Sequence, residues 1–89
     1  MFKVYVLFSK KDRRLYIGCT NNLERRIREH ERGAVCATRY RRPLTLIHTE
    51  KFPDKVGAFV RERFLKSLWG AREKKKILRQ FLESQKMVT

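Results

Sequence analysis

Tyr5, Tyr16, Arg26, His30 and Glu62 have the types and order that could do chemistry together. Tyr5 lies in an apolar run and Tyr16 opens the tripeptide Tyr16-Ile17-Gly18. Arg26 and His30 stand one helical turn apart, and Glu62 is an acid within a later basic stretch. A phenol can move a proton, a guanidinium can hold charge on a phosphate, and a carboxylate can hold a divalent metal. Together these groups suit hydrolysis of a phosphodiester backbone. Taken singly, each has a plainer use: tyrosines pack sheets, His30 on an apolar stripe is a hydrogen-bonded core residue, and Glu62 pairs with Arg61, Arg63 or Lys66.

The elements that must position them follow from the apolar pattern. Val4, Val6 and Phe8 alternate with Tyr5 and Leu7, and Leu15, Tyr16 and Ile17 resume β-type residues after a polar stretch, which predicts a hairpin that brings Tyr5 near Tyr16. Gly18 is expected to end the second strand, where a turn needs close backbone approach or positive φ. Asn21 or Asn22 suits the N-cap of a helix from about Leu23 to Glu31 that stops near Gly33. On that helix Leu23, Ile27 and His30 form a core-facing stripe, and Arg26 projects with His30. A third strand is expected at Leu44 to His48. After Pro53, Val56, Phe59, Val60, Phe64, Leu65 and Leu68 keep helical spacing, as do Ile77, Leu78, Phe81 and Leu82. The order β-β-α-β-α-α describes an α+β domain with helices packed on a three-stranded antiparallel sheet.

A chain of 89 residues with 42% apolar content supports one domain, residues 1–89, around one modest core. Its formal net charge of +14, from 23 Lys and Arg against 9 Asp and Glu, favours polyanionic partners and resists self-association. Cys19 and Cys36 are too few and too far apart for a self-contained zinc site, and Cys19 has no base partner that would make it a nucleophile. The apolar start, Met1 to Phe8, is too short to span a membrane and lacks a small-residue cleavage site, so a reduced, cytoplasmic setting without a signal peptide is expected.

The ladder Gly18-Cys19-Thr20-Asn21-Asn22-Leu23-Glu24-Arg25-Arg26, then His30, then Arg61-Glu62 resembles the GIY-YIG nuclease family, especially small single-domain bacterial members related to the nuclease half of the excision-repair incision protein. The likeness runs from Lys3 to about Lys66. Tyr16-Ile17-Gly18 matches the second half of the family's name, whereas Lys3-Val4-Tyr5 keeps only the tyrosine of the first. The resemblance implies that Tyr5 or Tyr16 takes a proton from the attacking water, that Arg26 binds the scissile phosphate, and that Glu62 binds Mg²⁺ or Mn²⁺. One glutamate suffices for a hard cation whose other ligands are water and substrate oxygens. Arg26, the metal and the positive surroundings are expected to favour the phenolate over the ordinary phenol, whose pKa is about 10. His30 holds a tyrosine hydroxyl or assists proton transfer.

Thr20, Arg25, Lys66 and the Arg39-Tyr40-Arg41-Arg42 patch are candidate contacts to nucleic acid, with Tyr40 offering a stacking face; the plainer readings are a helix-capping threonine and solvated charges. Two departures from the family stand out: no asparagine occurs after Asn22, and Leu68-Trp69-Gly70-Ala71 replaces a more polar turn. The expectation is a metal-dependent DNA endonuclease of repair or recombination, with RNA as a further candidate substrate. Its small size leaves room for a protein partner that supplies specificity. The alternative is a nucleic-acid-binding module that keeps the fold without cutting.

Overall fold

A computed structural model describes residues 1–87. The β-branched and aromatic runs pair as expected: strands β1 (Phe2–Ser9), β2 (Leu15–Thr20) and β3 (Leu44–Phe52) form an antiparallel sheet in the order β2-β1-β3. With a neighbour on each edge and cover on both faces, β1 is buried from Val4 to Ser9. Helix α1 (Leu23–Glu31) follows β2, while α2 (Lys55–Lys66) and α3 (Ala71–Met87) follow β3. Short 3₁₀ turns occupy Arg39–Arg41 and Leu68–Gly70.

Pleating divides the hairpin between two environments. Val4 pairs with Cys19 and Val6 with Ile17 on one face, and there Val4, Val6 and Ile17 pack with Ala58, Leu65 and Ile77 as the apolar core. Tyr5 pairs with Gly18 and Leu7 with Tyr16 on the other face, the one covered by α1. Cys19 is a free, partly buried thiol packed against the core, in keeping with a packing role. Helix α1 begins with Asn22 as N-cap, its side chain accepting from the Arg25 N–H at 3.1 Å. Beyond its end Gly33 takes φ +81° and donates to the His30 carbonyl, as its position after the helix requires.

Three expectations are corrected. β2 does not end at Gly18 but continues to Thr20, and Gly18 is not at positive φ. Glycine is needed there because the Tyr5 ring lies across it, so that a Cβ would collide with the Tyr5 ring carbon and hydroxyl. β3 extends past His48 to Phe52 and carries a register shift opposite Val6 and Leu7. The third concerns α2. Of its expected apolar stripe only Leu65 is buried; Val56, Phe59, Val60 and Phe64 are exposed, as is Leu68 beyond the helix. The inward positions of α2 are instead Ala58 and Leu65 together with the partly buried Arg61 and Glu62.

Ion pairing makes that orientation stable. Arg61 donates to both carboxylate oxygens of Glu50 on β3, at 2.8 and 3.0 Å, and to Glu73 of α3 at 3.1 Å. His48 adds a contact to Glu50 at 2.8 Å. A bidentate guanidinium–carboxylate pair fixes direction as well as distance, so Arg61 sets the rotation of α2 and with it the placement of the adjacent Glu62. Gly70 closes the following turn against α2, where a Cβ would strike the Phe64 carbonyl oxygen.

Candidate active site

The α1 face of the hairpin gathers the predicted groups. Tyr5 and Tyr16 are diagonal across the β1–β2 pair, with ring centroids 6.4 Å apart. His30, on the third turn of α1, lies edge-on to both, 5.7 Å from the Tyr5 ring and 5.1 Å from the Tyr16 ring. One turn earlier, Arg26 donates through Nε to the Tyr5 hydroxyl at 3.4 Å and through Nη1 to Glu29 at 3.1 Å. The helical spacing of Arg26 and His30 thus brings both onto the same phenolic oxygen.

The polar chain runs deeper than the sequence suggests. His30 Nε2 shares a 2.9 Å hydrogen bond with the Tyr5 hydroxyl, and His30 Nδ1 shares one of 2.7 Å with Thr38 Oγ1. Tyr5, His30 and Thr38 are all essentially inaccessible. A neutral imidazole donates from one nitrogen and accepts at the other, so the orientation of Thr38 fixes which way His30 faces Tyr5. Thr38 is the member that sequence reasoning missed. It lies in the loop between α1 and β3, where no periodicity marks a residue as inward; a threonine beside a run of arginines gives no local signal.

Burial, not charge, dominates the electrostatics. It pushes the Tyr5 phenol up to about 12, with the Arg26 hydrogen bond only partly opposing it. Arg26 alone therefore does not produce a phenolate at Tyr5: without metal and substrate, burial outweighs it and the phenol keeps its proton. Burial, with the neighbouring Arg26 charge second, lowers His30 to about 4, so its imidazole is neutral at neutral pH. The Tyr5 hydroxyl, its proton retained, is spent on His30 and Arg26, while Tyr16 beside them is only partly buried.

Glu62 stands on α2 and reaches Tyr5 through its charge, while its ion pair is with Lys66 of the same helix. Its negative charge is among the causes that raise the Tyr5 and Cys19 pKa values. Its side chain is 15% exposed, and the Lys66 ammonium lies 3.5 Å from its carboxylate, so a cation already stands against it. Among the described residues no group of three or more His, Cys, Asp or Glu side chains could hold a metal. One hard carboxylate with a stand-in ammonium fits a divalent ion completed by water and phosphate oxygens, not a site built wholly from protein.

The remaining candidates divide. Arg25 is exposed on α1, and Tyr40 is 76% exposed with the Arg39 guanidinium over its ring. Arg39, Tyr40 and Arg42 line an open groove of about 580 Å³ with Lys11. Arg41 instead pairs with Asp12 at 2.8 Å, and Ser9 Oγ donates to its carbonyl, tying the basic turn to the hairpin. Arg39 and Arg42 also donate to backbone carbonyls, those of Gly33, Arg39 and Glu31. Thr20 is buried, and its hydroxyl is used within the turn that leads to Asn22. Ile17 faces the core. Thus the Tyr5, Tyr16, Arg26 and His30 set comes together directly, whereas part of the basic patch holds loops.

The family model for the GIY-YIG catalytic domain matches residues 1–76. A UPF0213 protein of Natronomonas pharaonis is 47% identical over 73 residues, covering 81% of this chain and 85% of its own length. One from Clostridium perfringens is 44% identical over 68 residues, 73% of this chain and 70% of that protein. The solution NMR structure of a UPF0213 protein from Bacillus halodurans aligns with a TM-score of 0.56 at 35% identity, covering 90% of this chain and 85% of that one. A hairpin with paired tyrosines, a glycine under the first ring and a helix that delivers arginine and histidine to its hydroxyl thus accompanies a family match over most of the chain: this protein belongs to the GIY-YIG family.

Proposed function

We propose that the protein is a single-domain endonuclease, residues 1–89, that hydrolyses phosphodiester bonds in DNA with the help of Mg²⁺ or Mn²⁺, in a cytoplasmic repair or recombination role. The observation that carries this reading is the convergence of Arg26, His30 and two phenols on one face of the hairpin. In a chain of net charge +14, that cluster meets a polyanion.

Tyr16 is the phenol assigned to the water, because it keeps a partly open position while the Tyr5 hydroxyl is occupied by His30 and Arg26. Tyr5 and His30 act behind it: the neutral imidazole orients the Tyr5 hydroxyl, which in turn helps hold the Arg26 guanidinium. Arg26 keeps further N–H groups for a phosphate oxygen and stabilises charge as it develops there. Glu62 would hold the divalent ion once Lys66 releases it, and that ion when bound supplies charge neutralisation at the phosphate. Lys66, freed from Glu62, turns to the backbone of the nucleic acid. Arg25, Arg39, Tyr40 and Arg42 extend the cationic surface.

The rival reading, a binding module that does not cut, draws on one observation: the charged groups of the site are already paired, Arg26 with Glu29 and Glu62 with Lys66. A nuclease assay separates the two. Branched, nicked, single-stranded and duplex DNA and RNA are incubated with wild type and Glu62→Ala, with Mg²⁺ or Mn²⁺ and with chelator. Cutting that needs the ion and is lost in Glu62→Ala supports the enzyme. Equal cutting by both proteins, or none on any substrate, defeats it.

A further inference from the structure

The exposed side of α2 beside Glu62 has a composition that packing does not explain. Phe59, Glu62, Arg63, Lys66 and Ser67 line a groove of about 450 Å³. Phe59 remains 48% exposed although the Arg63 guanidinium lies 5.6 Å from its ring centroid. Residues 59, 62, 63 and 66 fall on one side of a helix, so an aromatic ring, two cations and the carboxylate assigned to the metal form a single strip. Phe59, Arg63 and Lys66 face outward because Arg61, Ala58 and Leu65 supply the inward contacts of α2, and the partly buried Glu62 lies at the border between the two sides.

An apolar protein partner fits this strip poorly, since it would strip water from Arg63 and Lys66 without pairing them. An unpaired nucleotide fits: its base has a flat face for an aromatic ring or guanidinium, and its phosphates pair with the cations. We propose that the Phe59 strip is a nucleobase subsite, so that the substrate is a nucleic acid with an unpaired nucleotide next to the bond that is cut. Phe59 or the Arg63 plane stacks on the base, and Arg63 and Lys66 hold the flanking phosphates. This rests on the nuclease reading for its place in catalysis, but the binding it requires can be measured without cutting.

The test uses the full chain in chelator, with three fluorescein-labelled probes of equal phosphate count: a short oligothymidylate, its abasic counterpart and a blunt duplex. Phe59→Ala is expected to weaken oligothymidylate binding about tenfold, near the low end for loss of one stacked base. Its affinity for the abasic and duplex probes should match wild type. Phe59→Trp should restore oligothymidylate binding, whereas Phe59→Leu, apolar but not aromatic, should not. Two results overturn the subsite: unchanged oligothymidylate binding in Phe59→Ala, which leaves the strip to a protein partner, or equal weakening on all three probes. Should the subsite pass this test while the wild type cuts nothing when Mg²⁺ is added, the nuclease reading fails alone.

Discussion

Helices α1 and α2 pack on opposite faces of the same sheet and reverse the usual distribution of polarity in different ways. Helix α1 buries a histidine, 1% exposed, and turns it to a phenol and a threonine. Helix α2 leaves Val56 and Val60 71% and 61% exposed while drawing Arg61 inward onto Glu50 and Glu73. In α1 the cost of burying polar groups is offset by hydrogen bonds, and what is obtained is a fixed arrangement of polar side chains. In α2 the ion pairs fix the rotation of the helix and leave apolar and aromatic side chains free at the surface. Hydropathy alone therefore does not tell which side chains of either helix turn inward; polar partners decide part of it.

The largest expected effect separates inward from outward on α2. Leu65→Ala should cost about 2–5 kcal/mol, the range for emptying a buried leucine site, read from chemical denaturation. If it costs less than Val60→Ser, the rotation of α2 assigned to the Arg61 clamp is wrong.

On α1 the corresponding probe is pH. The His30 pKa is lowered from 6.5 to about 4, so above pH 6.5 the imidazole is neutral in both folded and unfolded chains and stability is fully present. As pH falls from 6.5 towards 4 the unfolded chain takes up the proton first and stability is lost, by up to roughly 3 kcal/mol. His30→Gln should flatten this part of the curve. Glu50 and Glu29, held low by Arg61 and Arg26, lose their contribution at still lower pH in both proteins. A wild-type stability that does not change between pH 6.5 and 4 would show that His30 is not buried as a neutral base.

Gly18→Ala tests the contact that joins the two strands of the site. The added methyl should displace the Tyr5 ring and cost about 1–3 kcal/mol, the range for overpacking, with activity falling too. Normal stability with normal activity would mean the ring is not held across β2. The smallest effect belongs to Val60→Ser, expected within about 0.5 kcal/mol of wild type in the same denaturation experiment, as for an exposed position without partners.

Much of this was legible in the chain. The alternation of Val4, Val6 and Phe8 marks β1, the Leu23, Ile27 and His30 stripe marks α1, and Gly33 marks its end, because each signal is local and agrees with its surroundings. The pairing of Tyr5 with Tyr16 followed from the hairpin, and Arg26 and His30 from helical spacing. Two things were not legible. The apolar spacing of α2 is compatible with more than one rotation, and the choice is made by Glu50 and Glu73, which are distant in sequence. Thr38 enters the site through a loop, where position depends on the closing contacts of Arg41 with Asp12 and Ser9 and not on any repeat in the chain.

On the proposed reading, the polar α1 face is a site of phosphodiester hydrolysis in which Tyr16 serves the attacking water. The most direct measurement is the single-turnover cleavage rate of Tyr16→Phe beside wild type, with Mg²⁺ and saturating DNA, together with the melting temperature of each. Phenylalanine keeps the ring next to His30 and Tyr5 and removes only the hydroxyl. A rate at least about 100-fold lower is expected, the usual scale for loss of a proton-transfer group, with the melting temperature unchanged. A Tyr16→Phe protein that cuts at the wild-type rate would contradict that reading.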